Sequence, residues 1–479
     1  MPDRWPLVQY LASADPGARV MFSFNQETFE VASTETYPAA NGWDFGSPEL
    51  TGPADAAGRA WGGRVLRFPL VIHGPSFRTQ QVLSEVARHV LRPGVLMFRL
   101  SPSAEPIFYR TFVGSPGSLD MSRVYADPTR KATWFLDVQI PVAPFAEGER
   151  ITTTLPLLGN DPHDGGCTVT LPSALGDVPA PLTVSLRSAS GLLGVRRLML
   201  HMVASTRERA AAPVWWDLAN LNQGGSSGWA GPVTADPAWP GSGYRATPLE
   251  AAQRTSGKWL GIEGRAPTRG VVKAGRYQML GRMGTVESTA YFDAANDFRL
   301  RTKRVRVGPH NSAPPDGFAT WAALADLTWP AGVDTSSLTV DDVVSGYDAS
   351  VYAWRGVGTA RFGGMLALPL DGPGIRSSSM LLAHPGSGVG VDQRLVVDGA
   401  AETLMVRGAD GSAMGLSEQD IPRGEFPVIT PGSVNQLTVL LQTAMSGWPD
   451  SAEAQTEVEI SYRPRYLWLP STALDPGAS

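Results

Sequence analysis

The chain has 479 residues, of which 43% are apolar and 18% charged, with a formal net charge of −5. That length exceeds one ordinary hydrophobic core and implies several domains, while the composition excludes a disordered or coiled-coil class. The acidic balance gives no reason to expect a nucleic-acid partner, and the lone Cys167 excludes an intrachain disulfide and a structural zinc site.

No run reaches about 18 apolar residues, so no membrane-spanning helix is expected. The opening "MPDRWPLVQYLASADPG" lacks a basic segment followed by a long apolar one, so the chain reads as soluble and made in the cytoplasm. The 52 glycines and 40 prolines are spread along the chain as turn punctuation between many short strands.

One segment departs from that rhythm. Residues 64–72, "RVLRFPLVI", read as a strand, "HGPS" turns the chain, and Ser76 stands as the N-cap of an amphipathic helix. Leu83, Val86 and Val90, with Val82 beside them, make its apolar face; Arg78, Gln81, Glu85 and Arg88 lie opposite. Pro93 ends the helix and Gly94 suits the turn. The strands "VLMFRL" and "IFYRTFVG" follow, and in "WFLDVQIPVAP" Trp134, Leu136, Val138, Ile140 and Val142 alternate as one strand face. Residues 1–148 therefore read as an antiparallel sheet domain carrying one helix.

Residues 149–212 then read as a β-sandwich element, its strands from Cys167 onward set apart from the first domain by the Gly/Pro-rich "LPLLGNDPHDGG". From residue 213 to 479, strands such as "GRYQMLGRM", "DFRLRTKRVRVG", "QLTVLLQTA" and "TEVEISYRPRYLWLP" suggest a jelly-roll or similar sandwich. In the last of these, Val458, Ile460, Tyr462, Tyr466 and Trp468 are expected on one face.

Motifs for chemistry are weak. "GGSSG" at 224–228 matches the G-x-S-x-G nucleophile elbow in letters but lacks the strand before and the helix after, and reads as a loop. His73, His89, His163, His201, His310 and His384 show no metal-ligand spacing, and each reads as structural. Asp293, Asn296 and Asp297, and Asp341 with Asp342, read as solvated loop acids; calcium is the alternative, without an EF-hand spacing to support it. No catalytic residue, resident metal or cofactor is assigned. Arg299, Arg301 and Lys303 share one strand face and Arg304 and Arg306 the other, better suited to a salt-bridged sheet or subunit contact than to nucleic acid. Eight of the fourteen tryptophans fall between 215 and 354, which makes this the region to search for stacking on sugars or partners. Trp229 and Trp239, in a Gly/Pro/Ser-rich loop, and Trp216 before it are the candidate glycan or interface aromatics.

The sheet and helix of "RFPLVIHGPSFRTQQVLSEVARHVLRPGVLMFRL" resemble the N-terminal ring-forming region of distal tail proteins (Dit) of long-tailed, non-contractile bacteriophages, and are most similar to minor tail proteins of phages infecting actinobacteria. "GDVPAPLTVSL" (176–186), "FPVITPGSVNQLTVLL" (426–441) and "ISYRPRYLWL" (460–469) look like the same group. The resemblance implies a mainly β virion component without enzymatic activity: a homo-oligomeric ring, typically hexameric, at the distal end of the tail or baseplate. It also implies contacts with the tail tube protein, the tail-associated hub protein and the C-terminus of the tape measure, and outer galectin-like sandwiches turned to other tail proteins or a host cell-surface glycan. The region from about 213 is larger than a plain galectin-like module. A monomeric carbohydrate-binding protein and a β-sandwich glycoside hydrolase are the alternatives.

Overall fold

The computed structural model describes residues 5–33, 43–48, 50–52, 60–90, 92, 94–111, 120–126, 132–157, 168–188, 195–206, 212–216, 233–236, 239–248, 259–266, 276–285, 290–298, 301–307, 318–328, 344–354, 359–372, 374–383, 392–415, 423–443 and 456–469; from 215 to 367 the description is of backbone only. The protein is mainly β, with one helix among the described residues. It divides into two compact units. Unit 1 comprises residues 1–151, 175–180 and 462–479; unit 2 comprises 152–174 and 181–461.

In unit 1 the strands in chain order are β1 (Leu7–Leu11), β2 (Val20–Ser23), β3 (Phe29–Val31), β4 (Leu50–Gly52), β5 (Ala60–Trp61), β6 (Arg64–His73), β7 (Val95–Arg99), β8 (Ile107–Arg110), β9 (Asp120–Ala126), β10 (Thr133–Val142) and β11 (Ala146–Glu147), with helix α1 (Phe77–Val90) between β6 and β7. One sheet runs β2-β1-β7-β8-β11 and is extended by the C-terminal strand Arg465–Tyr466; a second runs β3-β6-β10-β9. β6 and β10 pair over their full length, from Thr133 opposite His73 to Val142 opposite Arg64. Period-2 alternation sends Leu66, Phe68, Leu70 and Ile72 from β6, and Leu136, Val138, Ile140 and Val142 from β10, into one buried cluster. Val8, Tyr10, Phe22, Leu96, Phe98, Ile107 and Tyr109 of the first sheet join it, with Phe24 just after β2. Trp43 and Phe45 seal its side: Trp43 stacks on Phe68 at 5.6 Å between centroids, and Phe45 on Tyr109 at 6.5 Å.

α1 belongs to the same core. Val82 and Val86 are buried in the cluster and Leu83 packs at its margin. Thr79 is buried too, so the inward stripe takes in Thr79 beside the expected Val82, Leu83 and Val86. Val90 has no described side chain. Ser76 directly precedes the helix and contributes its carbonyl, which accepts from the Thr79 amide at 3.2 Å and the Thr79 hydroxyl at 2.5 Å. Gly94 does more than turn the chain: a Cβ there would lie 2.6 Å from the Tyr10 ring and 2.8 Å from the Leu11 carbonyl oxygen. β7 lies against β1 only because that Cβ is missing.

Unit 2 contains a six-stranded sheet, in the order 151–157, 456–462, 183–188, 394–398, 403–407, 413–415, and a five-stranded one, in the order 168–170, 434–443, 195–205, 375–383, 423–424. Val184, Leu186, Leu200, Met202, Met380, Leu395, Val397, Leu437, Val439, Val458 and Ile460 are among their buried residues. Strand pairing thus joins 151–205 to 375–462, across the sequence position 212. Between the paired strands 195–205 and 375–383 the chain makes two further sheets, one ordered 233–236, 239–248, 359–369, 276–285, 318–328 with 214–216 also on 359–369, the other ordered 259–266, 344–354, 290–298, 301–307.

The run 456–468 is not one strand, contrary to expectation. Thr456–Tyr462 ends before Arg463 and Pro464, and Arg465–Tyr466 joins the unit 1 sheet. Proline lacks the amide a continuing ladder needs, so the face of Val458, Ile460 and Tyr462 does not extend to Tyr466 and Trp468; Trp468 is 64% exposed.

Candidate functional site

The three candidate tryptophans are not gathered by any described contact. Trp216 ends the strand Val214–Trp216, opposite Met365. Trp239 opens the strand Trp239–Pro248, opposite Asp236 in a hairpin. Trp229 lies outside the described residues, as do the 224–228 motif, His163, His310, His384, Asp341 and Asp342. Asp293, Asn296 and Asp297 sit on a strand and not in a loop. In the register Asp293 is opposite Arg306, Asn296 opposite Lys303 and Asp297 opposite Thr302. No group of three His, Cys, Asp or Glu side chains with metal-holding geometry occurs among the described residues.

A Ser–His contact in unit 2 invites comparison with a nucleophile and its base. His201 Nδ1 lies 2.6 Å from Ser379 Oγ, and Nε2 lies 2.9 Å from the Pro369 carbonyl oxygen. A carbonyl only accepts, so Nε2 carries the proton and Nδ1 accepts from the serine hydroxyl. The ring is fully buried, and burial lowers its pKa to about 4, against the opposing pull of the Pro369 carbonyl and the Asp371 charge. An inaccessible, weakly basic imidazole with both nitrogens engaged fixes strands; it does not activate a hydroxyl for a substrate. His73 lies 3.4 Å from Glu30, and His89 stacks on Phe22 at 4.9 Å between centroids.

The most developed polar constellation is in unit 1, on the face of the six-stranded sheet opposite the main core. Leu11, Val95, Met97 and Phe108 form a small apolar floor there with Ala14. In the register, Glu147 of β11 is opposite Phe108 on one side and Arg465 on the other. Arg110, two residues along β8 from Phe108, shares their face. Its Nε donates to both Glu147 carboxylate oxygens at 3.3 Å, and Arg465 approaches the same carboxylate at 3.6 Å. A second carboxylate, Asp15, stands 3.5 Å from both Arg150 and Arg463. Arg463 lies over the Phe108 ring at 5.2 Å, donates to the Gly148 carbonyl at 3.1 Å and also to the Ala14 carbonyl. Burial lowers the pKa of Arg463, with Arg150 acting in the same direction and Glu147 and Asp15 opposing; burial likewise lowers that of Arg465, against the attraction of Glu147.

Each carboxylate is thus held by an inner and an outer guanidinium. The inner ones, Arg463 and Arg465, are 8% and 23% exposed; the outer ones, Arg150 and Arg110, are 40% and 50% exposed. Four cations against two anions leave two positive charges in excess. Sequence reasoning did not find this cluster, because its members come from positions 15, 110, 147–150 and 463–465. The available signal was "RPR", two arginines flanking a proline in the otherwise aromatic and aliphatic "ISYRPRYLWL".

No protein-family model matches the chain, and no curated protein matches it. Among solved structures, the SPP1 Dit protein, described as a paradigm of the hub adsorption apparatus in phages infecting Gram-positive bacteria, aligns with 98% of this chain and 100% of its own, at 7% identity and a TM-score of 0.34. The phage p2 baseplate in its activated conformation aligns with 75% of this chain and 97% of its own, at 8% identity and a TM-score of 0.19. T=1 particles derived from Infectious Bursal Virus align with 90% of this chain and 83% of their own, at 9% identity and a TM-score of 0.17. The chain is therefore similar, at low TM-scores, to phage adsorption and baseplate structures, and these likenesses bear no further weight.

Proposed function

We propose that this protein is a structural component of the distal end of a phage tail. It forms a homo-oligomeric ring, six copies being the expected number, that connects the tail tube protein to the tail-associated hub protein and meets the C-terminus of the tape measure. Its unit 2 sandwiches, of galectin-like or jelly-roll type, serve to dock other tail proteins or a host glycan, with Trp216, Trp229 and Trp239 as the aromatics to test. It needs no catalytic residue or cofactor.

One observation carries this reading: the stretch 67–100, where the family resemblance is most concentrated, folds as strand, helix and strand inside one module with its own core. Two of the other resembling stretches, 176–186 and 460–469, span points at which the chain passes between the units. Sheet edges favour assembly as well. β2 and β9 are outer strands of their sheets among the described residues, and outer strands offer unpaired backbone groups to a neighbour.

The test is the mass of the full chain by light scattering, with negative-stain images of the same peak. Rings of about six copies are expected for a closed head-to-tail assembly. A monomer at high concentration overturns the ring. Saccharide binding by that monomer, lost in Trp229→Ala or Trp239→Ala, would put a glycan-binding protein in its place.

A further inference from the structure

We infer that the arginine cluster at the C-terminal edge of the six-stranded sheet is a contact site for acidic side chains of a second copy of this chain; the inference rests on the ring reading above and identifies one of its interfaces. The two carboxylates of the cluster are each already shared by two guanidiniums. Arg110 spends only its Nε on Glu147, and Arg150 reaches Asp15 through one terminal nitrogen at 3.5 Å. Their other N–H groups, on half-exposed side chains, have no partner among the described residues, and a guanidinium fork is suited to receiving a carboxylate.

Charge selects the occupant. The cluster is positive by two, while the chain as a whole carries −5, so the rest of the molecule is negative by seven. Another copy is therefore a complementary partner, and like-charge repulsion between the acidic remainders is relieved where this patch is inserted between them. The cluster lies where β11 meets the strand Arg465–Tyr466; the far edge of that strand is taken by Asp177 and Val178, whose amides donate to the Arg465 carbonyl, so a neighbour meets the arginine-bearing face of the sheet and not a bare strand edge. Arg465 keeps the buried Glu147 compensated, and Arg463 stays beside the exposed Asp15, so the outer pair can bind without leaving a buried carboxylate unpaired.

The experiment is sedimentation of the full chain at about 0.1 M and about 1 M salt, which shortens the screening length from about 10 Å to about 3 Å. The set is wild type, the double variants Arg110→Glu/Arg150→Glu and Arg110→Gln/Arg150→Gln, and Arg407→Glu, an exposed arginine of unit 2, as a control for net charge. Circular dichroism establishes that each is folded. The wild type is expected to assemble more weakly in high salt. The Glu double variant should lose about tenfold in association per arginine, with most of the salt dependence gone; the Gln variant should lose less, and Arg407→Glu should behave as wild type. Assembly of the Glu and Gln variants indistinguishable from wild type overturns the patch and leaves the ring standing. An equal loss in Arg407→Glu assigns the effect to net charge and overturns the patch as well. A wild type monomeric at both salts removes the ring and this interface together.

Discussion

His201 ties unit 2 to pH. Its folded pKa of about 4 lies below the ordinary value of 6.5, so the unfolded chain binds the proton more tightly than the folded one. Stability is therefore complete above about pH 6.5 and declines as pH falls from there toward about 4. At about 1.4 kcal/mol per pH unit, the gap between 6.5 and about 4 amounts to about 3 kcal/mol, of which roughly 2 is lost by about pH 5. The cause is burial: protonation places a charge on a fully enclosed ring, and the opposing pull of the Pro369 carbonyl and the Asp371 charge does not make up for the lost water. The assay is urea unfolding at several pH values for wild type and His201→Gln, with nitrogen-15 shifts of labelled histidine reporting the tautomer. The variant keeps an amide donor for the Pro369 carbonyl, should lose about 1 to 2 kcal/mol at neutral pH, and should lack the histidine's part of the acid slope. Parallel pH profiles for the two proteins, or an imidazolium signal for His201 at about pH 6, would refute the reasoning.

The helix and the strand after it give two sharper steric tests. Val86→Asp puts a carboxylate at a fully buried core position and should cost roughly 4 kcal/mol or more in denaturant unfolding; a variant as stable as wild type would remove α1 from the core. Gly94→Ala forces a methyl group against the Tyr10 ring and the Leu11 carbonyl, at a cost of about 1 to 3 kcal/mol, seen as a lowered Tm; a neutral result would mean that β1 and β7 are farther apart than described.

What the sequence made legible was local. The strand, helix and strand of 64–100 and the alternation from Trp134 to Val142 follow from 3.6- and 2-residue periods, and they stand as expected, with Trp134 further fixed by its indole donating to the Gly74 carbonyl at 3.1 Å. The helix face stands as expected at Val82, Leu83 and Val86; what the letters did not show is that Thr79 joins it, buried after satisfying its hydroxyl on the Ser76 carbonyl. The arginine cluster and the His201 contacts were illegible for another reason. They pair residues up to 449 positions apart, and no period in the chain encodes which distant arginine meets Asp15 or which strand brings Ser379 to an imidazole.

The same non-local pairing makes the C-terminus a structural part of the N-terminal unit, and removal of residues 462–479 tests that directly. The deletion strips the strand Arg465–Tyr466 from β11 and takes Tyr466 and Leu469 away from the margin of the core cluster. It also removes the Leu467 carbonyl, which accepts from Arg64 at 2.8 Å. Arg64 is only 3% exposed, so its guanidinium loses a buried acceptor, and Glu147 is left with the outer arginine alone. These losses fall on β6, β8 and β11, whereas the sheets of unit 2 keep the strand Thr456–Tyr462 almost entire. Hydrogen exchange should therefore speed up in β8 and β11 of the shortened chain while 434–443 and 195–205 stay protected, because opening is confined to the unit that lost the strand Arg465–Tyr466. Unchanged protection in β8 and β11 would mean that the C-terminal strand is an ornament on a sheet complete without it. Protection lost equally in both units would mean that they unfold as one, and that the tail segment serves the whole molecule.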